Sequence, residues 1–525
     1  MSYRFRHASR AVLLLASAAL AAPAARAQEP AQARPAAAGR PAQPRLLEGL
    51  GTHSRRIATR VPEAQRWFDQ GLRLTYAFNH AEAITAFERA AELDSTCAMC
   101  QWGIAFALGP NINAPMDSAS AVRAYEAVRR AQLLAANAPP VERVWVAALA
   151  RRYAPAPTAN RAALDSAFAR AMQDVAAKHP NDLDAAVIAA EATMDLSPWN
   201  YWTKDLAPRP ETRRVVASLE KVLARNPDHP GACHYYIHAV EAAYPRKAVR
   251  CAERLAALMP GAGHLVHMPG HIYIRVGRYA DAIRANEHAV HADETYLQDR
   301  PRNALYPGFY YPHNYHFMAF AAMLAGDEAK AVEAARTLAR NVQPPLARQF
   351  ATLQTMAVYP SLMLVTFGRM DEALAEPLPP ADQPLSVVMA HYARGVALAS
   401  KGRTQEAAAA LDSLQSASAR VRAWNDPTAV TVSRIAGHAL AGRLASERGD
   451  HPAAVRELRA AAAIEDAMPY MEPPEWYAPV RWELGRALLR AGDRTAAARA
   501  YQEDLARFPE NGRSKAGLAE ARATR

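Results

Sequence analysis

The chain has 525 residues, of which 51% are hydrophobic and 22% charged, with a formal charge of +11 and four cysteines. That length exceeds what one compact core absorbs, so the chain must hold several domains or a repeat array. Its Arg and Glu residues are interspersed as on solvated helix faces, and no long basic run or recognition motif is present, which excludes a dedicated nucleic-acid surface.

The first residues read as an export signal. Arg4, Arg6 and Arg10 precede the apolar run Ala11 to Ala22, and Ala25-Arg26-Ala27 offers small residues where a signal peptidase cuts. The run is too short to cross a bilayer, and no later stretch reaches spanning length. The expectation is cleavage near Ala27 and a periplasmic or secreted protein without a transmembrane segment. Removing the four arginines of that start leaves about +7 on the remainder. Residues 28–45 are rich in Pro, Ala and Gln with almost no large apolar residue, and are expected to form a disordered linker.

From there almost to the C-terminus, apolar residues recur at helical spacing and strand signals are absent, which predicts an all-α fold. A 34-residue repeat lies on top of this spacing. It is seen in Trp67, Gly71, Ala83, Phe87 and Ala90, in Gly270, Tyr273, Gly277, Ala282 and Ala289, and in Leu484, Gly485, Ala497, Tyr501 and Pro509. Gly-Arg or Gly-Asp turns recur at Gly277, Gly326, Gly368, Gly402, Gly449 and Gly492. Small residues where two helices cross let the backbones approach, while the aromatic and Leu positions fill the space beside them.

On these residues the sequence resembles the tetratricopeptide-repeat family. The resemblance implies a right-handed α-solenoid of about ten or eleven helix pairs with a concave groove and a capping helix near Ser514 to Ala523. The organisation expected is N-terminal units at 46–115, degenerate helical repeats at 116–226, and His-rich units at 227–342 interrupted by an aromatic insertion at 297–311. The C-terminal units then run through 343–525. At finer grain the blocks Cys97 to Gly103, His234 to Glu241, Gly263 to Tyr273 and Tyr310 to Phe317 resemble those of a group of exported bacterial repeat proteins, a resemblance that implies no activity.

Phosphate-loop, nucleophile-elbow and zinc-helix motifs are all missing, so no reaction can be named and an enzymatic role is left open. Gln101, not His, follows Cys100, which excludes c-type haem attachment. The chemistry-bearing feature is a set of seven histidines: His234, His238, His264, His267, His271, His313 and His316. Registered on the Gly and Ala landmarks, His264, His267 and His271 take the second, fifth and ninth places of a first helix. His313 and His316 take the second and fifth, as do Cys97 and Cys100; His234 and His238 fall one place later. The resemblance puts those places on the concave groove.

Spacings of three and four share one helix face, and neutral imidazole is a common ligand for Zn, Cu, Ni or Fe. Two readings follow. The first is recognition of a protein or peptide in the groove, with His234, His238, Glu241, Tyr273, Tyr315, Cys97 and Cys100 lining it. The second is a transition-metal site, Zn or Cu, held by His264, His267, His313 and His316, with His234, His238, His271 and Glu241 near them and Met268 adding some preference for copper. Hydrogen bonding of the histidines to neighbouring tyrosines is the bland alternative. Pro269 interrupts the helix between His267 and His271, so their spacing need not hold. Cys97 and Cys100 are expected to open a helix capped by Ser95 or Thr96, as reactive thiols or as a local disulfide. Cys233 and Cys251 fall on the two helices of one unit and could staple it. His288 and His291 are expected on the convex surface.

Overall fold

In the computed structural model, residues 44–156, 159–300 and 306–523 are described; the expected export signal and nearly all of the expected linker lie outside them. The described chain is helical throughout, with two isolated β-bridges and no strand. Successive helices pair antiparallel. The series begins with Pro62–Tyr76 against His80–Leu93 and ends with Val480–Arg490 against Arg494–Arg507, followed by Gly512–Arg522 as the cap. Counting the broken helices Gly263–His267/Pro269–Arg275 and Ala351–Ala357/Tyr359–Thr366 as one arm each gives eleven pairs. Five α-helices occupy 116–226.

The repeat landmarks do the work their residue types allow. Gly71 and Gly103 approach the fully buried Phe87 ring so closely that a Cβ at either position would overlap it. The turn glycines 277, 326, 368, 402, 449 and 492 all have φ between 73° and 85°, the left-handed region that ends a helix most easily at glycine.

Each second helix shows water one face. In Arg494–Arg507 the buried residues are Ala497, Ala500, Tyr501 and Asp504, a stripe at spacings of three and four. The first helices of the central units differ: all 11 residues of Pro230–Val240 are buried. They are covered because the chain folds back over the inside of its own superhelix. Segment 468–479 reaches the central units through Tyr470, whose hydroxyl lies 3.3 Å from Glu241, and the unit after them through Glu475, which accepts from Thr352 at 2.8 Å. At the N-terminal side, Arg55 grips Asp182 with two bonds of 2.7 and 2.8 Å and stacks over Trp145. The end of the array also returns to the middle, with the Tyr279 hydroxyl donating to the Pro509 carbonyl at 2.6 Å.

Candidate metal centre

Helices Pro230–Val240, Gly263–His267, Pro269–Arg275 and Tyr311–Ala325 carry the seven histidines, and six of the seven imidazoles converge in the covered interior. Ligand atoms of His234, His238 and His264 lie within 4.8 Å of one another, and so do those of His267, His271 and His313. Pro269 breaks the hydrogen-bond ladder without breaking the helical course. Met268, at the junction, keeps φ −51° and ψ −34°, so His267 and His271 remain one turn apart and their Nε2 atoms meet at 2.9 Å.

The other ring nitrogens fix the tautomers. His234 Nδ1 donates to the Tyr76 carbonyl at 2.7 Å. His238 and His271 donate from Nδ1 to Glu241 Oε1 and Oε2 at 2.9 and 2.6 Å. His267 Nδ1 donates to Asn286 Oδ1 at 2.7 Å, and the Asn286 amide is oriented by its own bond to the Ala282 carbonyl at 2.8 Å. An imidazole that gives its Nδ1 proton to an acceptor keeps, when neutral, only a lone pair on Nε2. Four rings therefore present Nε2 lone pairs to the interior. His267 and His271 aim theirs at each other, a pairing that a shared proton or a bound metal ion makes favourable. His238 Nε2 is buried without a hydrogen-bond partner among the described residues. His264 Nε2 stands 3.1 Å from His234 Nε2. Two nitrogens bound at about 2.0–2.1 Å to one tetrahedral ion would stand roughly 3.3–3.4 Å apart.

The electrostatics favour neutral rings. Burial pushes His234, His264, His267 and His313 well below the ordinary histidine range, and neighbouring imidazoles push them further. Burial also lowers His238, against the pull of Glu241. Burial works against an ionised Glu241, yet His271 and His238 hold it down to about 2. His234, His238, His264, His267 and His313 are thus neutral nitrogen donors, set beside one buried carboxylate.

Two aromatic caps close it. Phe78, with φ 54°, packs its ring 4.5 Å from His234 and 5.5 Å from His264. Trp199, with φ 62°, sits edge-on to His238 at 5.1 Å. Holding a bulky residue in the left-handed region costs about 1–2 kcal/mol, and both aromatic instances among the described residues fall at this site. The insertion contributes as well: the Tyr306 hydroxyl accepts from the His264 backbone N–H at 3.1 Å and donates to Asp293 at 2.8 Å, while Tyr310 packs edge-on to His264 at 4.8 Å. His313 is only half-buried, so the approach from outside lies on its side of the cluster.

The expected ligand set His264, His267, His313 and His316 is not one group. His264 joins His234 and His238, and His267 and His313 join His271. His316 belongs to neither triad; its ring faces Tyr359 at 4.8 Å, and burial lowers it to about 3. The ninth place on one helix brings His271 closer to His267 than the fifth place on the next helix brings His316. Two residues assigned to the groove stand apart from the histidines: Tyr273 lies under the Arg278 guanidinium, and Tyr315 pairs with Tyr311. Cys97 and Cys100 form a disulfide buried in the core, with Cys97 itself as the helix N-cap in place of Ser95 or Thr96, and they line no groove. Cys233 and Cys251 are buried free thiols, so the expected staple is not formed.

A cluster that the sequence reading passed over lies at the N-terminal side. Asp184 accepts from Tyr76 at 2.6 Å and from His53 at 3.0 Å, with His229 Nε2 at 3.3 Å. Its acceptor oxygens are shared among donors, and this ties the segment before the first helix to the array.

The paired-helix array described above is of the tetratricopeptide-repeat type, and comparison with known proteins adds nothing to that geometry. No family model and no curated protein matches the sequence. Among solved structures, the anaphase-promoting-complex assembly Cut9–Hcn1 is similar at 14% identity and a TM-score of 0.33, over 89% of this chain and 79% of that one. Yeast Tom70 is similar at 12% identity and a TM-score of 0.32, over 87% and 94%. The tetratricopeptide domain of P58(IPK) is similar at 12% identity and a TM-score of 0.20, over 87% and 97%. None of these likenesses bears on the histidines. No helix among the described residues is long and apolar enough to cross a membrane.

Proposed function

We propose that this chain is a repeat scaffold that holds a transition metal, zinc or copper, inside its superhelix, and that it works outside the cytoplasm after removal of the signal-like start. One observation carries the metal reading: four buried imidazoles are locked by acceptors on Nδ1 with their Nε2 lone pairs turned inward, His267 and His271 face to face at 2.9 Å. A buried imidazole N–H needs an acceptor in any setting, but four acceptors that all leave Nε2 lone pairs facing one interior make the pattern that metal ligands have. The test is the metal content of the tag-free protein purified from its native compartment. A bound transition metal whose content falls in a folded His267→Ala/His271→Ala variant supports the reading. No uptake of Zn or Cu after reconstitution defeats it.

Recognition of a protein or peptide has its own support elsewhere in the solenoid. The C-terminal units enclose a cavity of about 400 Å³ lined by Tyr392, Trp476, Trp482, Arg443, Arg486 and Arg513. Aromatic rings beside guanidinium groups suit a peptide segment with apolar and acidic side chains. This reading moves the recognition surface away from the histidines. A photo-reactive residue at position 482 should give a discrete adduct that Arg486→Ala/Arg513→Ala abolishes; no adduct would remove the reading.

A further inference from the structure

We infer that the centre is dinuclear: His234, His238 and His264 hold one ion, His267, His271 and His313 hold a second, and the two are close enough to share one small bridging ligand. The inference rests on the metal reading above and adds its stoichiometry and its ligand class.

The two triads are equally built. Each has three imidazoles whose donor atoms lie within 4.8 Å of one another. Each combines two histidines of one helical arm with one from a neighbouring unit, so neither forms until the units stack.

The spacing between the triads matches the spacing inside them. Within the first, ring centroids stand 4.9, 4.9 and 6.4 Å apart; within the second, 4.8, 5.0 and 6.2 Å. Across the boundary, His238 to His271 is 5.3 Å and His264 to His267 is 5.8 Å. Ligand rings this close across the boundary leave room for two neighbouring ions to act on one ligand, as ions about 3.5–4 Å apart do.

Glu241 belongs to both triads. Its two oxygens accept from His238 in the first and His271 in the second, so one carboxylate orients a ligand of each ion. A single ion bound by His238, Glu241 and His271 would also be within reach. Such a site would have to displace both Nδ1 bonds to Glu241 and leave the facing Nε2 lone pairs unused.

Charge points to the class of the bridging ligand. Six neutral imidazoles and one carboxylate leave two divalent ions with a net positive charge in a buried site, which is costly unless compensated. A small anion between the ions reduces that cost. Among the described residues no other carboxylate joins either triad. An all-imidazole set suits copper or zinc and gives little preference to magnesium, calcium or manganese.

The experiment loads the full chain with Cu(II), removes excess metal, counts copper by elemental mass spectrometry and integrates the electron paramagnetic resonance signal. Two equivalents per chain are expected, with a spin count well below two because a shared bridge couples the ions. His234→Gln and His313→Gln should each retain one equivalent and show close to one full spin. The spin count of the parent needs no variant, so a variant that fails to fold leaves the test intact. One equivalent in the parent, or two with two full independent spins, overturns the dinuclear inference and leaves the metal reading standing. No copper at all removes both.

Discussion

The central units at 227–342 and the C-terminal units from Pro384 onward share one helix-pair plan and use their first helices in opposite ways. In the C-terminal units those helices carry Leu, Val and Ala into the seam, and each second helix shows water one face. In the central units the first helices are buried on nearly every side and carry imidazole there. A first-helix histidine is not enough for a site. His438 lies on such a helix, but it is more than a third exposed and pairs only with Glu457. The unit at 351–375 repeats the proline break through Pro360 but carries no histidine of its own. What sets the centre apart is a second layer: Glu241, Asn286 and the Tyr76 carbonyl behind the rings, with Phe78 and Trp199 over them. The scaffold supplies stacking; the second layer supplies chemistry.

That contrast breaks most sharply under substitution of the ligands. His267→Ala/His271→Ala should abolish metal uptake by the second triad, whereas His438→Ala should leave total uptake unchanged, as read by equilibrium dialysis with Zn. Equal losses from both would show that the layer behind the rings is irrelevant. Next in size is Tyr501→Ala, which empties the space between Gly485 and Gly517. It should cost about 3–5 kcal/mol in urea unfolding, and the surviving folded protein should keep its full metal content.

Glu241→Gln keeps the side-chain shape and one acceptor but removes the charge that orients His238 and His271. Metal affinity should fall by about 10–100-fold, measured by competition with a chromophoric chelator. A pH experiment then separates the scaffold from the site. Burial raises Glu465, in the C-terminal units, from 4.5 to about 7. A carboxyl raised on folding binds more protons in the folded state, so its contribution to stability falls as pH rises from about 4.5 to about 7. Glu465→Gln should flatten that part of the profile, by an amount on the order of 3 kcal/mol, with metal content unaltered. The smallest effect belongs to Gly402→Ala, at a turn with φ 73° and nothing close to the missing Cβ. It should cost about 1 kcal/mol, through backbone strain alone.

The repeat was legible because its residues act locally. Gly at the crossings and the turns follows from rules of contact and φ, and Phe87 and Tyr501 sit where the period puts them. The histidines were legible as a set for the same reason. Their partition into triads was not, since it depends on how far one arm is offset from the next, which spacing along a helix does not encode. The second layer was only partly visible. Glu241 follows His238 by three residues, but Asn286 lies on the partner helix and the Tyr76 carbonyl comes from 158 residues before His234. No side chain announces a backbone acceptor. Phe78 and Trp199 were hidden because a left-handed aromatic residue is disfavoured locally and persists only where tertiary packing holds it. Cys97 and Cys100 fitted the groove register, yet their places in that unit face the core.

The most direct test of the central claim is a crystal structure of the protein grown with Zn or Cu, with anomalous diffraction recorded at the metal edge. The account predicts an anomalous peak within coordination distance of Nε2 of His267 and His271, with Glu241 still holding His271 from behind. Facing nitrogens at about their present separation, with no anomalous density between or beside them at saturating metal, would contradict it. That result would leave a proton shared between two histidines where a metal ion is claimed.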